Sequence, residues 1–151
     1  MPLFRTGEVW KGREEMECLH TLEEIREIFK EDRFATEAAG AIIDAADVRY
    51  ARCRLKLEKV HRNAAGIVMG GAIFTLADFC MAVAANGYRE DCDTVSIDGS
   101  ILYMKPAKGS WLIAEAKCIK PGRSLNYYEV MVTDDLGTEV ARFEGKTYTR
   151  G

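Results

Sequence analysis

Asp78 is the residue around which chemistry can be built. It stands inside residues 72–85, a run in which only Thr75 and Asp78 are polar. A helix made from such a run is apolar on every side and belongs in the interior. An ionised carboxylate is costly to bury without partners, and such groups cluster where protons are moved or carbonyls attacked. Eight residues earlier stands the pair Gly70-Gly71. Glycines let a ligand approach the backbone, and the unpaired N–H groups at a helix start stabilise negative charge developing on a carbonyl oxygen. The pair therefore reads as an oxyanion hole, and Asp78 as a base or nucleophile. Their spacing imposes a constraint. At about 1.5 Å per residue, eight residues separate them by roughly 12 Å, too far for attack on a carbonyl held at the same helix's start. Two such helices packed antiparallel across a two-fold axis would bring Gly70 of one chain to Asp78 of the other, giving two equivalent sites per dimer.

The elements that must hold these groups can be read in order. Thr21 followed by Glu24 forms a possible capping box, and Leu22, Ile25, Ile28 and Phe29 recur at helical spacing, predicting an amphipathic surface helix up to about Lys30. Between residues 41 and 60 the pattern turns strand-like, with Ala51, Cys53, Leu55 and Leu57 alternating with Arg52, Arg54 and Lys56. A turn at Gly40 or within residues 44–47 should divide this region. After the apolar helix come four strand candidates at residues 94–103, 110–120, 124–133 and 139–148, broken at 106–109, 121–122 and 134–137. In the first of them Val95, Ile97, Gly99, Ile101 and Tyr103 alternate with Thr94, Ser96, Asp98 and Ser100. With no helix between these strands, the sheet should be mainly antiparallel. The expectation is an α+β chain in which five to six curved antiparallel strands wrap one long helix. It is a single domain overall, with an N-terminal arm and surface helix at residues 1–35 and the main body at 36–151. Any face of the helix that the sheet leaves open calls for a second subunit.

Composition narrows the function. The 151 residues carry a net charge of −3 with the two signs interspersed, so neither nucleic acid nor an anionic membrane is indicated as partner. A small molecule or another protein is. Five scattered cysteines, Cys18, Cys53, Cys80, Cys92 and Cys118, show no C-x-x-C spacing and fit neither a disulfide framework nor a zinc site. With no secretory signal at the start, a cytoplasmic location is expected. The stretch 67–85 is apolar enough to imitate a membrane span, but Asp78 at mid-depth and the Gly-Gly pair argue against one.

The segment N-x-x-G-x-V-x-G-G-x-x-x-x-L-x-D, filled by Asn63, Gly66, Val68, Gly70, Gly71, Leu76 and Asp78, resembles the hotdog-fold thioesterases of the phenylacetate-pathway (PaaI-like) type. The likeness continues through Val95-Ser96-Ile97-Asp98, Tyr103-Met104-Lys105-Pro106-Ala107 and Pro121-Gly122-Arg123-Ser124, covering about residues 40–150. It implies a hotdog fold and hydrolysis of an acyl-CoA thioester at a dimer interface, often within a homotetramer, without metal or cofactor. By the resemblance, Gly70, with Gly71 behind it, supplies the backbone N–H that polarises the carbonyl. Asp78 of the partner is nucleophile or general base, Asn63 places substrate or water, and Ser96 positions the attacking water. Arg123 and Ser124 occupy the turn where the family often contacts the nucleotide of coenzyme A. One departure is plain: the family commonly has His-Gly-Gly where this chain has Met69-Gly70-Gly71, and a thioether cannot donate the hydrogen bond that an imidazole can. Met69 then borders the substrate pocket, and a non-catalytic acyl-CoA-binding protein becomes the alternative reading. A hydratase or dehydratase would want a histidine beside the aspartate, and the helix has none.

Several residues also have plainer readings. Asn63 could serve its own loop, Ser96 could face solvent, and Phe74, Phe79, Met81 and Met104 could line an apolar tunnel or simply be core. His20 and His61 are expected at the surface, outside any catalytic constellation.

Overall fold

The computed structural model of the chain describes residues 16–150, so the first fifteen residues of the expected arm lie outside the described residues. Helix α1 spans Leu22–Phe29 and a short π-helical turn spans Phe34–Ala38; strands β1, Ala41–Asp47, and β2, Tyr50–Lys56, follow. A 3₁₀ turn at Lys59–His61 leads to the long helix α2, Gly70–Asn86. Then come β3, Thr94–Tyr103, β4, Trp111–Lys120, β5, Leu125–Asp134, and β6, Glu139–Thr149. The six strands form one antiparallel sheet in the order β1-β2-β4-β5-β6-β3, with α2 against its inner face. This is the expected helix wrapped by a sheet.

The packing follows from alternation. Ala51, Cys53 and Leu55 of β2, Leu112, Ala114 and Ala116 of β4, and Tyr128, Val130 and Val132 of β5 are buried, and they meet Leu76, Ala77, Cys80, Met81 and Val83 of α2. Small side chains at the sheet's centre let the helix approach closely. On β6 the same need is met by Gly145, where a Cβ would run into Met81 Sδ. The expected surface helix forms where Thr21 Oγ1 accepts the Glu24 N–H at 3.2 Å. It is tied down by Arg26 Nε donating to the Ile43 carbonyl (2.8 Å) and by Phe29 meeting Phe79 edge to face.

Three expectations change. The turn between β1 and β2 falls at Val48-Arg49, just past residues 44–47, with Arg49 in the left-handed region at φ 54°; Gly40, at φ 86°, instead leads from the π-helical turn into β1. The strict alternation expected in β3 is broken by a bulge between Ser96 and Asp98. The histidines are not free surface residues. His61 is buried, and the half-buried His20 ring reaches the Arg89 carbonyl at 2.8 Å.

The described residues do not cover α2 on every side. Gly71 is exposed, and Phe74, Thr75, Asp78 and Ala82 are half-buried, a stripe that recurs every three or four residues along one face. The neighbouring β3 is an edge strand with exposed apolar side chains, among them Ile97 at 55% and Leu102 at 63%.

Candidate active site

The loop before α2 presents one half of the site. It is anchored by His61. The Glu58 N–H donates to His61 Nδ1 at 2.9 Å and His61 Nε2 lies 2.7 Å from the Ala39 carbonyl, an arrangement that needs the neutral ring with its proton on Nε2. The His61 carbonyl then accepts the Met69 N–H at 2.8 Å. Between them Asn63 folds the loop upon itself. Its Oδ1 accepts the N–H groups of Ala65 (3.0 Å) and Ile67 (3.1 Å), and its carbonyl accepts from Gly66, which sits at φ 77°. The exposed Asn63 thus spends its oxygen on the loop and keeps its amide N–H₂ unpaired among the described residues.

At the helix start the Met69 carbonyl accepts from Ala72 (3.0 Å) and Ile73 (3.3 Å). The N–H groups of Gly70 and Gly71, in the first turn, have no acceptor among the described residues. Gly71 is open, with Met69 Cε the one atom near a built Cβ, at 3.4 Å. Gly70 is roofed by Tyr103 of β3: the Tyr103 O–H donates to the Gly70 carbonyl at 2.9 Å, and a Cβ at Gly70 would sit 2.8 Å from Tyr103 Oη.

The other half lies further along α2. Asp78 accepts a long hydrogen bond from Ser96 Oγ, 3.4 Å to Oδ1. Burial pushes its carboxyl above the usual carboxylate range; the Ser96 hydroxyl works against that shift and the charge of Asp32 adds to it. The bulge explains why Ser96 is there at all. Ser96 pairs with Thr147 and faces the helix, while Asp98, beyond the bulge, pairs with Lys146 on the outer face and holds its ammonium at 2.8 Å. In a regular strand Ser96 and the inward-facing Gly99, three residues apart, would lie on opposite faces; the bulge puts them on one.

The strand register places the remaining residues. Thr147 pairs with Asn126 as well as Ser96, and Asn126 Oδ1 accepts the Gly122 N–H at 2.9 Å. The turn carrying Arg123 and Ser124 therefore stands at the same end of the sheet as Asp78 and Ser96. Arg123 is exposed, and the Ser124 carbonyl accepts the Thr149 N–H at 2.7 Å.

Two clusters emerge within one chain. Asn63, Met69, Gly70 and Gly71 share the helix start with Tyr103, while Asp78, Ser96, Arg123 and Ser124 share the other end. Seven residues of extended strand between Ser96 and Tyr103 keep the two groups roughly 20 Å apart along β3. His61 and Tyr103 had no assigned role in the sequence. A histidine two residues before the loop asparagine was the available signal for the first; for the second it was a tyrosine closing an edge strand opposite a glycine pair. No three His, Cys, Asp or Glu side chains among the described residues are grouped to hold a metal ion, and none of their helices is long and apolar enough to cross a membrane.

The chain is similar in sequence and fold to known proteins. The family model of the thioesterase superfamily matches residues 65–141. A putative esterase of Archaeoglobus fulgidus is 32% identical over 122 residues, covering 80% of this chain and 77% of the relative. Human acyl-coenzyme A thioesterase 13 is 35% identical over 83 residues, 54% of this chain and 59% of its own length. Among solved structures, the PaaI protein from the phenylacetic acid degradation operon of E. coli superposes with a TM-score of 0.77 at 23% identity, over 86% of this chain and 94% of that one.

Proposed function

The chain belongs to the thioesterase superfamily, and we propose that it hydrolyses acyl-coenzyme A thioesters at sites built across a two-fold interface between two copies. The observation that carries the reading is the pairing of a proton-attracting Asp78 with two unpaired helix-start N–H groups, on one open face of one helix. The acyl-coenzyme A substrate class is supported by the name of the human relative. Relatives named esterase and thioesterase also favour turnover over the binding-only alternative.

In the proposed site the thioester carbonyl lies against Gly70 and Gly71 of one protomer, whose N–H groups take up the charge that develops on oxygen. Asp78 of the partner acts in one of two ways. As a base it takes a proton from water while the water oxygen bonds to the carbonyl carbon. The tetrahedral intermediate then expels the coenzyme A thiolate, which takes that proton and leaves as thiol beside the free acid. As a nucleophile its carboxylate oxygen bonds to the carbonyl carbon and displaces the coenzyme A thiolate; water then cleaves the anhydride, restoring the aspartate, releasing the free acid and giving the thiolate its proton. A pKa raised by burial suits the base role, because it strengthens proton capture. Ser96, within reach of Asp78, positions the water; the free amide of Asn63 holds substrate or water at the other lip. Arg123 offers a cation to the phosphates of coenzyme A, with Ser124 beside it. Met69 gives the pocket an apolar rim where many relatives of the resembling type have a donor.

The two-fold assembly is supported by the stripe on α2 left open, and by the edge of β3 left unpaired, among the described residues. A dimer, or a tetramer of two such dimers, would cover both. Five unpaired cysteines fit a reducing, cytoplasmic setting.

The test is a panel of short-chain, aromatic and medium-chain coenzyme A thioesters, with released thiol trapped by a chromogenic disulfide. Wild type is expected to turn over at least one class, and Asp78→Asn to lose at least roughly 100-fold. Absence of turnover across the panel, or an equally fast Asn variant, overturns the reading.

A further inference from the structure

Nothing in the proposed chemistry requires Tyr103, yet its phenol makes the closest side-chain approach to the oxyanion pocket. It comes from the last residue of β3 and donates to the Gly70 carbonyl at 2.9 Å. Its ring lies where a side chain at position 70 would project, with Oη and Cζ at 2.8 and 2.9 Å from the built Cβ. The contact explains why residue 70 is a glycine even though its backbone φ is not in the left-handed region. The phenol is about half exposed and has no other hydrogen-bond partner among the described residues.

We infer that Tyr103 is a positioning residue that aims and strengthens the Gly71 N–H, the second donor of the oxyanion pocket. The Gly70 carbonyl and the Gly71 N–H belong to one planar peptide group. Fixing the carbonyl fixes the direction of the N–H at the other side of that plane. A donor on the oxygen also draws electron density from the amide nitrogen and makes its N–H a better donor, the same polarisation that runs along chains of hydrogen bonds. Tyr103 thus acts at the far side of the peptide from the substrate, without touching the reacting atoms. It also ties the end of the edge strand to the first turn of α2, so that a shift of β3 is felt at the pocket.

The effect has a size. Loss of one oxyanion donor costs roughly 100- to 1,000-fold in kcat. Cooperative strengthening is about 10–30% of a bond, which on that logarithmic scale is roughly a two- to eight-fold change. Because the charge on oxygen grows only as the bond to carbon forms, the change falls on kcat and leaves KM within about two-fold.

The inference rests on the hydrolytic reading of the site, and the experiment separates the two. With the thioester that wild type turns over fastest, Tyr103→Phe should lower kcat by roughly two- to eight-fold at nearly constant KM. Infrared difference spectra of the same ester, ¹³C-labelled at its carbonyl and bound to Asp78→Asn, supply the second readout. The carbonyl stretch should lie at lower frequency there than in Asp78→Asn/Tyr103→Phe, because the phenol no longer polarises the peptide. If wild type is active but the stretch is identical with and without the hydroxyl, or if kcat is unchanged, Tyr103 does not act through the peptide. If KM and melting temperature shift while the stretch stays put, the tyrosine is only a tether. If no ester of the panel is hydrolysed by wild type, the functional reading fails and takes this inference with it.

Discussion

Two inactive variants should rescue each other when mixed. The first is Asp78→Asn, which removes the proton acceptor and keeps the shape. The second is Gly70→Pro, which removes the residue-70 N–H from the oxyanion pocket at the first helical position, where proline is tolerated, and whose Cβ would also sit 2.8 Å from Tyr103 Oη. Each homodimer has both of its sites damaged and should retain no more than about 1% of wild-type kcat. In a heterodimer one composite site carries both lesions, while the other combines an intact Gly70 with an intact partner Asp78. Random pairing of equal amounts makes about half the dimers mixed, each with one good site of two, so activity per total protein should return to about a quarter of wild type. The assay is thiol release after co-expression with two affinity tags, which also isolates the heterodimer. A second arm mixes wild type with the double variant. Composite sites leave activity only in wild-type homodimers, about a quarter of the undiluted value, whereas sites built within one chain would leave about half. Heterodimers that form, keep their circular dichroism and remain inactive would refute the argument that eight helical residues place the two halves in different chains.

Asp78→Asn should also melt at or above wild type at pH 7 while losing activity. The folded pKa of Asp78 is raised, chiefly by burial, so its favourable contribution is fully present below the unfolded pKa and lost as pH rises through the folded one. Scanning melts from pH 3 to 8 should show the advantage of the Asn variant fading towards acid, and the wild-type rate should climb through the raised pKa as the carboxyl ionises. Asp134 runs the other way. Burial would raise its pKa, but N–H donors from Lys108, Gly109, Leu136 and Thr138 hold it well below the usual carboxylate range. Its stabilisation is therefore present above the unfolded pKa and lost as pH falls through the folded one. Asp134→Ala leaves four donors without that partner and should cost about 3 kcal/mol or more, lowering the melting temperature by roughly 6–12 °C; a drop under about 2 °C would show that water replaces the carboxylate. Ile97→Glu, on the exposed edge strand, should give a folded monomer by light scattering with hydrolysis reduced more than about ten-fold. A dimer of full activity would place the interface elsewhere.

The fold was legible because local and global signals agree in this chain. Thr21 and Glu24 announce a helix start, the run after Gly71 can only be interior, and strands β3 to β6 begin and end within a residue or so of where alternation and glycine or proline breaks put them. What alternation cannot show is a bulge, since one extra residue leaves no mark in hydrophobicity. Val95 and Ile97 read as an inward face; the register shift between Ser96 and Asp98 leaves both exposed and turns Ser96 to the helix instead. The buried His61 was hidden for a related reason. Its burial depends on the Ala39 carbonyl, 22 residues away, and no local pattern records a partner at that distance.

The bulge also explains how one strand serves both halves of the site. Ser96 lies before it, Tyr103 after it, and both face the helix, although seven residues of regular strand would put them on opposite faces. The bulge corrects that parity, so that one end of β3 meets Asp78 and the other meets Gly70. A two-fold axis passing between these ends would superpose the Asp78 end of one chain on the Gly70 end of the next. Deleting Ile97 leaves six residues of regular strand from Ser96 to Tyr103, matching the six from Ala141 to Thr147 on β6, and should keep both contacts. Inserting an alanine after Ile97 makes the offset eight against those six; with a single-residue bulge either Ser96 or Tyr103 must then leave the inner face, and the surviving contact can be read from whether the variant still responds to Tyr103→Phe. An insertion variant that kept both contacts and full activity would mean that the parity of β3 has no part in assembling the site.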